Sequence, residues 1–534
     1  MPLHYIDVLA DQPFAEIGEP TLVVDDPAHD FLVIAGDLGY SLWFGDGRAK
    51  HAHARVGVYD RGTLACRQVA TIRWPANDVA IHPSGTLVAV GTGSHDGGYM
   101  FEGELVILNL DRGQQTSALR HERQVCTVRW LDDTRLAVAL APPTDDLADD
   151  WEGLTAESFE LEAAWDDIGE RALDLSGTTG DPVPFDYPKP DLDAARSDLE
   201  RVAARGGRSW APRRAVWSVA GRSDGSVIAA CEGVAAERWD PSGGPLPMWR
   251  TPTAGAGRQL KALTETTLMA TIEISPPSED SYGYRRESQH HVVDVETGTI
   301  LNSVTRECAS VVVASRGGYS LLRPVSMGGG APDGLMIDLN GRAVGSMPLT
   351  RYDLFNHWFD IAGAPDILIL SGKGGEAHLD KWVARVVVRA DGRALERLFP
   401  LDWQGPKQRH LFGGPGVFVD DALGSAVIHC GEVHAYSGKH SPFAIRRSYP
   451  DGTPRWTLDL PGTATGAVEV DGVMAVTTVN GWLVLADAAT GALHESTELH
   501  IDTYPVVPLS VGTLGDSRLA IGLLDGRILR VELG

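Results

Sequence analysis

Ser94-His95-Asp96 sets the three residue types of an acyl-transfer triad side by side. That chemistry needs a hydroxyl, an imidazole and a carboxylate aligned in space, and triads are assembled from distant parts of a fold, whereas adjacent residues point in different directions. No G-x-S-x-G turn supports a nucleophile, and no catalytic residue is expected. Imidazoles gather at His51-Ala52-His53, at His290-His291 and over His429, His434 and His440. A metal ion requires three or four converging ligands. His51 and His53 would share one face of an extended segment, but no carboxylate at a characteristic offset completes a set, so surface or hydrogen-bonded histidines are expected and no metal site. Gly328-Gly329-Gly330, Gly413-Gly414-Pro415-Gly416 and Ser437-Gly438-Lys439-His440 lack the spacing of a phosphate or dinucleotide cradle. They read as turns between strands, and no cofactor is expected. The five cysteines, Cys66, Cys126, Cys231, Cys308 and Cys430, form neither a C-x-x-C nor a disulfide framework. All but Cys66 lie in or beside apolar runs, as buried thiols of a reduced compartment do.

The elements that would position these residues are short β-type runs divided by Gly, Asp and Asn turns. One unit runs through Asp78-Val79-Ala80-Ile81, the turn His82-Pro83-Ser84-Gly85, then Thr86-Leu87-Val88-Ala89-Val90. After a loop come Glu104-Leu105-Val106-Ile107-Leu108-Asn109-Leu110, the turn Asp111-Arg112-Gly113 and a polar run to Leu119. The order returns over 260–304 and 465–498, with further copies near 20–72, 213–252, 308–349, 353–401 and 412–460. Four strands in some forty residues, apolar on both faces in the inner runs, is the repeat of a propeller blade.

The His82-Pro83-Ser84-Gly85 turn resembles the approach to the second strand in WD40-like propellers. Asp487-Ala488-Ala489-Thr490-Gly491 resembles the strand-three turn of YVTN-type and quinoprotein-type propellers. The resemblance implies an all-β propeller fold, and counting the repeats gives a multi-bladed β-propeller with eight or more four-stranded blades in one ring, with two smaller rings as the alternative. The last segment offers three strands, near Val507–Leu514, Leu519–Leu524 and Ile528–Val531, where a blade needs four. Tyr5-Ile6-Asp7-Val8-Leu9 has no blade of its own and is expected to supply the fourth, closing the array so that no strand edge is left open. The division expected is 1–140 for the first part of the propeller, 141–208 for an acidic helical insertion, and 209–534 for the remainder, closed by residues 3–9.

The insertion follows Ala141-Pro142-Pro143 and carries 18 acidic and 3 basic residues over 145–200. Leu154, Leu161, Trp165 and Ile168 recur at spacings of seven, four and three, which predicts one amphipathic helix. After Pro190, Leu192, Ala195, Leu199 and Val202 predict a second. Each stripe needs a surface: the propeller's own rim, or a partner. With Phe355 and Trp358 of the aromatic run 355–359, the residues Leu154, Leu161, Trp165, Ile168, Leu192 and Leu199 are the candidate interaction positions, because aromatics are enriched at interface cores.

A formal charge of −26 excludes a phosphate-binding footprint and hence nucleic acid. No run of 18 apolar residues and no basic-then-apolar leader is seen, so no membrane association and a cytoplasmic location are expected. The function expected is a non-catalytic protein-binding scaffold whose partner is another protein with a basic surface. The alternative is a propeller hydrolase or lactonase with a divalent metal at the channel mouth.

Overall fold

The computed structural model describes residues 3–38, 54–95, 100–144, 153–244, 246–274, 287–316, 318–324, 333–347, 361–364, 366–371, 381–389, 392–401, 409–435 and 440–534. The chain is all-β, a multi-bladed propeller with one short helical segment. Its sheets fall into two compact units, one from Met1–Asp11 with Arg214–Gly534, the other from Gln12–Leu42 with Ala49–Arg213.

Among the described residues the larger unit holds seven blade-sized sheets. The first two are continuous: Val227–Trp239 pairs with Val216–Gly221 along its first half and with Trp249–Ala262 along its second. The rear half of Trp249–Ala262 then begins the second blade, followed by Thr267–Ile274, Glu287–Asp294 and Ile300–Arg306. Blades three to six start at Ser310–Arg316, Ile367–Ser371, Arg409–Asp421 and Ala464–Val470. The seventh combines Pro508–Gly515, Arg518–Leu523 and Ile528–Leu533 with the amino-terminal strand Leu3–Leu9, which pairs antiparallel to Ile528–Leu533 from Leu3 opposite Leu533 to Leu9 opposite Ile528. The expected closing strand is therefore present.

What the closing blade packs against decides the size of the ring. Leu9, Leu514, Ala520 and Ile528 share a core with Val216, Val219, Ala229 and Trp239 of the first blade of this unit. Ser510 Oγ donates to the Val216 carbonyl at 2.9 Å. Among the described residues the ring of the larger unit closes on seven blades, with three more in the smaller unit, so the multi-bladed propeller with a short helical segment is as expected.

Neighbouring blades in the larger unit are fastened by a repeated device. Trp249, on an outer strand, donates to the Val295 carbonyl at 3.1 Å, and Trp456 donates to the Ala489 carbonyl at 3.1 Å. Each indole lies on a turn glycine of the next blade, Gly298 or Gly491, where φ is +71° or +74° and an added Cβ would come within 2.6 Å of the ring. Glycine is required there for its backbone conformation and for the room it leaves. The turns are built alike. Asp294 Oδ1 accepts from the Thr297 amide and hydroxyl, both at 2.9 Å, and Asp487 Oδ1 does so from Thr490 at 2.7 Å. These bonds favour the ionised carboxylate and hold both acids below their usual range. Beneath them lie two buried arginines: Arg238 reaches the Val295 carbonyl and Glu296, and Arg446 reaches the Ala488 carbonyl and, bidentately, Asp421.

The smaller unit is a stack of three blades, 19–72, 76–117 and 125–184. In the strand Phe31–Asp37 the side chains alternate, Phe31, Val33 and Ala35 facing the second blade and Leu32 and Ile34 facing away. The face turned away would be an open apolar end. It is covered by Phe14, Ile17, Trp210 and the helix α1 (Leu192–Arg205), which buries Leu199, Val202 and Ala203 against it. Asp191 caps α1 by accepting from the Ala194 amide at 3.0 Å, immediately after the helix-breaking Pro190, and Gly206-Gly207 ends it. At the other end of the stack Leu136, Val138, Leu140, Phe159 and Leu161 face inward, while Thr127, Arg129, Glu160 and Glu162 face solvent. A polar outer face is how a terminal repeat without a neighbour stays soluble.

The first predicted helix is not there. Thr155–Glu162 is a strand paired with Arg135–Leu140, placing Leu161 opposite Leu136, and Trp165–Asp167 is a single 3-10 turn. Thr155, Phe159 and Leu161 fit the pleat as well as the sequence period fits a helix, and the unpaired edge of Arg135–Leu140 gives the strand a partner.

Candidate functional site

The innermost strands repeat one irregularity. Pairing shifts by one residue at Pro20/Leu22, Ala76/Asp78 and Val125/Thr127 in the smaller unit, and at Val216/Ser218, Gly257/Gln259, Val312/Ala314, Ala464/Gly466 and Pro508/Ser510 in the larger. A β-bulge re-aims the skipped side chain and is a common device at functional rims. In the larger unit the skipped residues tie blades together: the Arg258 guanidinium lies 4.2 Å over the Trp217 ring and donates to Glu273 at 2.9 Å, while Trp217 donates to Glu232 at 3.1 Å. Gly413-Gly414-Pro415-Gly416 is a wider version of the same feature inside the strand Arg409–Asp421, not a turn, and a Cβ on Gly416 would meet the Ile428 carbonyl at 2.8 Å.

In the smaller unit the bulges open onto a groove of about 920 Å³. Thr21, Leu22 and Val23 of the innermost strand Glu19–Asp26 and Ala76 and Asn77 of the next blade line one side. The segment 185–191 and Ala194, Ala195 and Asp198 of α1 line the other. Phe185 and Tyr187 are held in place by Phe101, with ring centroids 5.1 and 6.3 Å away. Asn77 donates to the Val125 carbonyl at 3.0 Å. Beside it Asp78 accepts from the Val128 and Val79 amides at 2.9 Å, and burial pushes its pKa up. The acids on the lining are Asp186, Asp191 and Asp198; the base is Lys189.

The residues singled out for chemistry are engaged elsewhere. His290 is wholly buried, with Nδ1 3.0 Å from Thr271 Oγ1 and Nε2 2.7 Å from Ser310 Oγ, and desolvation lowers its pKa to about 3. His429 is likewise buried and lowered to about 3, its Nε2 accepting from Arg447 at 3.3 Å. His82 reaches the Asp133 carbonyl at 3.0 Å and packs edge-on to Trp130. Burial raises the Cys126 and Cys430 thiols to about 12, well above the range of a working nucleophile. Cys231 is also buried, but Cys308, expected to be, is half-exposed. Ser94 and His95 form a two-residue strand, His95 packing edge-on to Phe101; Asp96 lies outside the described residues. So do His51, His53, Gly328-Gly329-Gly330 and Ser437-Gly438-Lys439, as well as the interaction candidates Phe355 and Trp358. Among the described residues no group of three His, Cys, Asp or Glu side chains is placed to hold a metal ion, and no helix is long and apolar enough to cross a membrane.

The remaining interaction candidates separate by burial. Leu161, Trp165 and Ile168 pack into the core between the second and third blades, and Trp165 donates to the Thr134 carbonyl at 2.8 Å. Leu154 packs on Phe101, Cys126 and Ala141. Leu199 is 0% exposed beneath α1, whereas Leu192 at its start is 36% exposed. Sequence reasoning passed over the groove, since its lining comes from residues whose side chains are ordinary singly and meet only in the fold.

No protein-family model matches the chain, and no curated protein matches it. Among solved structures the chain is similar to BamB from Moraxella catarrhalis, at 12% identity and a TM-score of 0.37, over 60% of this chain and 98% of that one.

Proposed function

We propose that this propeller is a non-catalytic scaffold that binds another protein. One observation carries the reading: among the described residues, His82, His290, His429, Cys126 and Cys430 are engaged or buried within the blades, while a groove is lined by aromatic, apolar and acidic groups. His290 and His429 are kept neutral by burial, and Cys126 and Cys430 are kept as thiols. Groups so placed stabilise a fold and do not take up or release protons near neutrality. The turn at Asp487–Gly491, with its docked tryptophan, supports kinship with the YVTN-type and quinoprotein-type propellers, whose loops carry varied functions on one frame.

The test uses the full chain, immobilised and exposed to an extract of its own cells. A captured protein is then purified and recombined with the chain, and a stoichiometric complex measured by calorimetry is the expected result. Metal content and ester and lactone turnover are measured on the same preparation. A stoichiometric divalent ion whose removal abolishes turnover would overturn the reading in favour of a hydrolase.

A further inference from the structure

We infer that the groove of the three-blade unit is the recognition site, and that its occupant is an extended peptide segment bearing lysine or arginine side chains; the inference rests on the protein-binding reading above. Among the described residues the innermost strand Glu19–Asp26 pairs on one side, with Phe31–Asp37; α1 is tied to it through Arg196–Glu19 and Arg205–Asp25, and between them Thr21, Leu22 and Val23 line the groove. A sheet edge bordering a groove offers main-chain groups to a chain running in extended form, and the alternation of side chains along such a chain sends every second one to each wall. The wall facing the strand supplies the charge complementarity: Asp186, Asp191 and Asp198 stand against one base, Lys189, within a segment holding 18 acidic and 3 basic residues. Phe185 and Tyr187, fixed by Phe101, add ring surfaces suited to alkyl stems and cationic heads. The volume, about 920 Å³, is that of a ligand site and is filled by a short segment, not a folded domain.

The engagement of each acid shows which part of the charge is structural. Asp191 caps α1, and Asp198 pairs with Arg201 one turn on. Asparagine serves as well as aspartate at a helix cap. Neutralising the wall therefore leaves α1 intact.

The probe is a fluorescein-labelled decapeptide of alternating Lys and Val, with the Glu/Val decapeptide as control, titrated against the full chain by anisotropy. The Lys/Val peptide is expected to bind, more weakly as salt rises from 50 to 300 mM, and the Glu/Val peptide not to bind. The triple variant D186N/D191N/D198N should weaken binding at least tenfold, and Ala194→Trp, which fills the groove from an exposed helical position, should do the same without removing charge. A charge-matched variant away from the groove, E160Q/D167N/D516N, should bind as the unaltered chain does. Equal loss from both triple variants would overturn the site, since the peptide would then be reading net charge; so would undiminished binding by Ala194→Trp. If a protein partner is captured by the chain and by the groove variants equally, the groove inference falls and the scaffold reading stands.

Discussion

The two units of this chain solve the same problem in opposite ways. Both contain blades with a bulged inner strand, and both must cover the two apolar faces that a blade presents. The larger unit does so by returning to its start: Leu3–Leu9 completes the seventh blade, whose core then merges with that of Val216–Trp239. The smaller unit never returns. It ends its stack with α1 on one face and with a polar sheet surface carrying Arg129, Glu160 and Glu162 on the other. A blade repeat by itself does not specify a ring; the capping of its ends does.

Removing Leu3–Leu9 gives the sharpest contrast. The larger unit loses a strand, the buried Leu9, and Asp7, which pairs with Arg530. The expected cost is on the order of 5 kcal/mol or more, from a core truncation and an arginine left without its carboxylate. Calorimetry should show the larger unit's transition lowered or lost and that of the smaller unit unmoved. A truncated chain with both transitions unchanged would break the comparison.

Acid separates the units next. His290 and His429 have folded pKa values near 3, below the unfolded value of about 6.5, so the unfolded state binds more protons as pH falls. The larger unit should lose stability from pH 7 downward, about 2 kcal/mol for each histidine at pH 5. In the smaller unit His29 bridges Asp26 at 2.7 Å and the Pro83 carbonyl at 3.1 Å, two acceptors that together require a doubly protonated ring. Its pKa is raised, so its contribution is complete below about 6.5 and is lost as pH rises through the folded value. Thermal scans from pH 5 to 8 should therefore show the larger unit's transition rising while the smaller unit's falls. Transitions that move in parallel would count against this assignment.

Leu199→Ala, a smaller change, tests the cap. Leu199 is fully buried between α1 and the first blade, and its truncation should cost about 3 kcal/mol. The loss should fall on the smaller unit alone. An unaltered transition would return α1 to the role of a free recognition helix.

The strands were legible because each inner run is apolar over four to six residues between Gly, Asp or Asn turns, as in Leu87–Thr92 or Val473–Thr478. The closing strand was legible by arithmetic, three strands at one end and one at the other. The ring size was not, because the seam between Leu514 and Val219 is a matter of which blade meets which, and equivalent apolar residues stand in every blade. The stripe Leu154, Leu161, Trp165 and Ile168 misled because Leu161 and Phe159 alternate as strand residues while the acids between them hid the pairing with Leu136 and Val138. The second stripe, anchored by the Pro190 break and the Asp191 cap, was legible as a helix. The groove was not, since Thr21, Asn77 and Asp186 are far apart in sequence and unremarkable alone.

The central claim is that the smaller unit, Gln12–Leu42 with Ala49–Arg213, is a capped array of blades that folds by itself, as the larger unit does by closing on its own first blade. The smaller unit's two ends meet: the Gln12 side chain donates to the Ala211 carbonyl at 2.5 Å and accepts from the Ala211 amide at 3.4 Å. Chain ends that lie together are what an inserted domain requires. The direct measurement is excision, joining Asp11 to Arg214 through a short Gly/Ser bridge and producing 12–213 separately, with thermal unfolding followed for each. Two folded proteins, each with one cooperative transition near its position in the full chain, are the expected result. A seven-blade protein that fails to fold, with no cooperative transition and exposed apolar surface, would contradict the claim and make the three blades part of the ring.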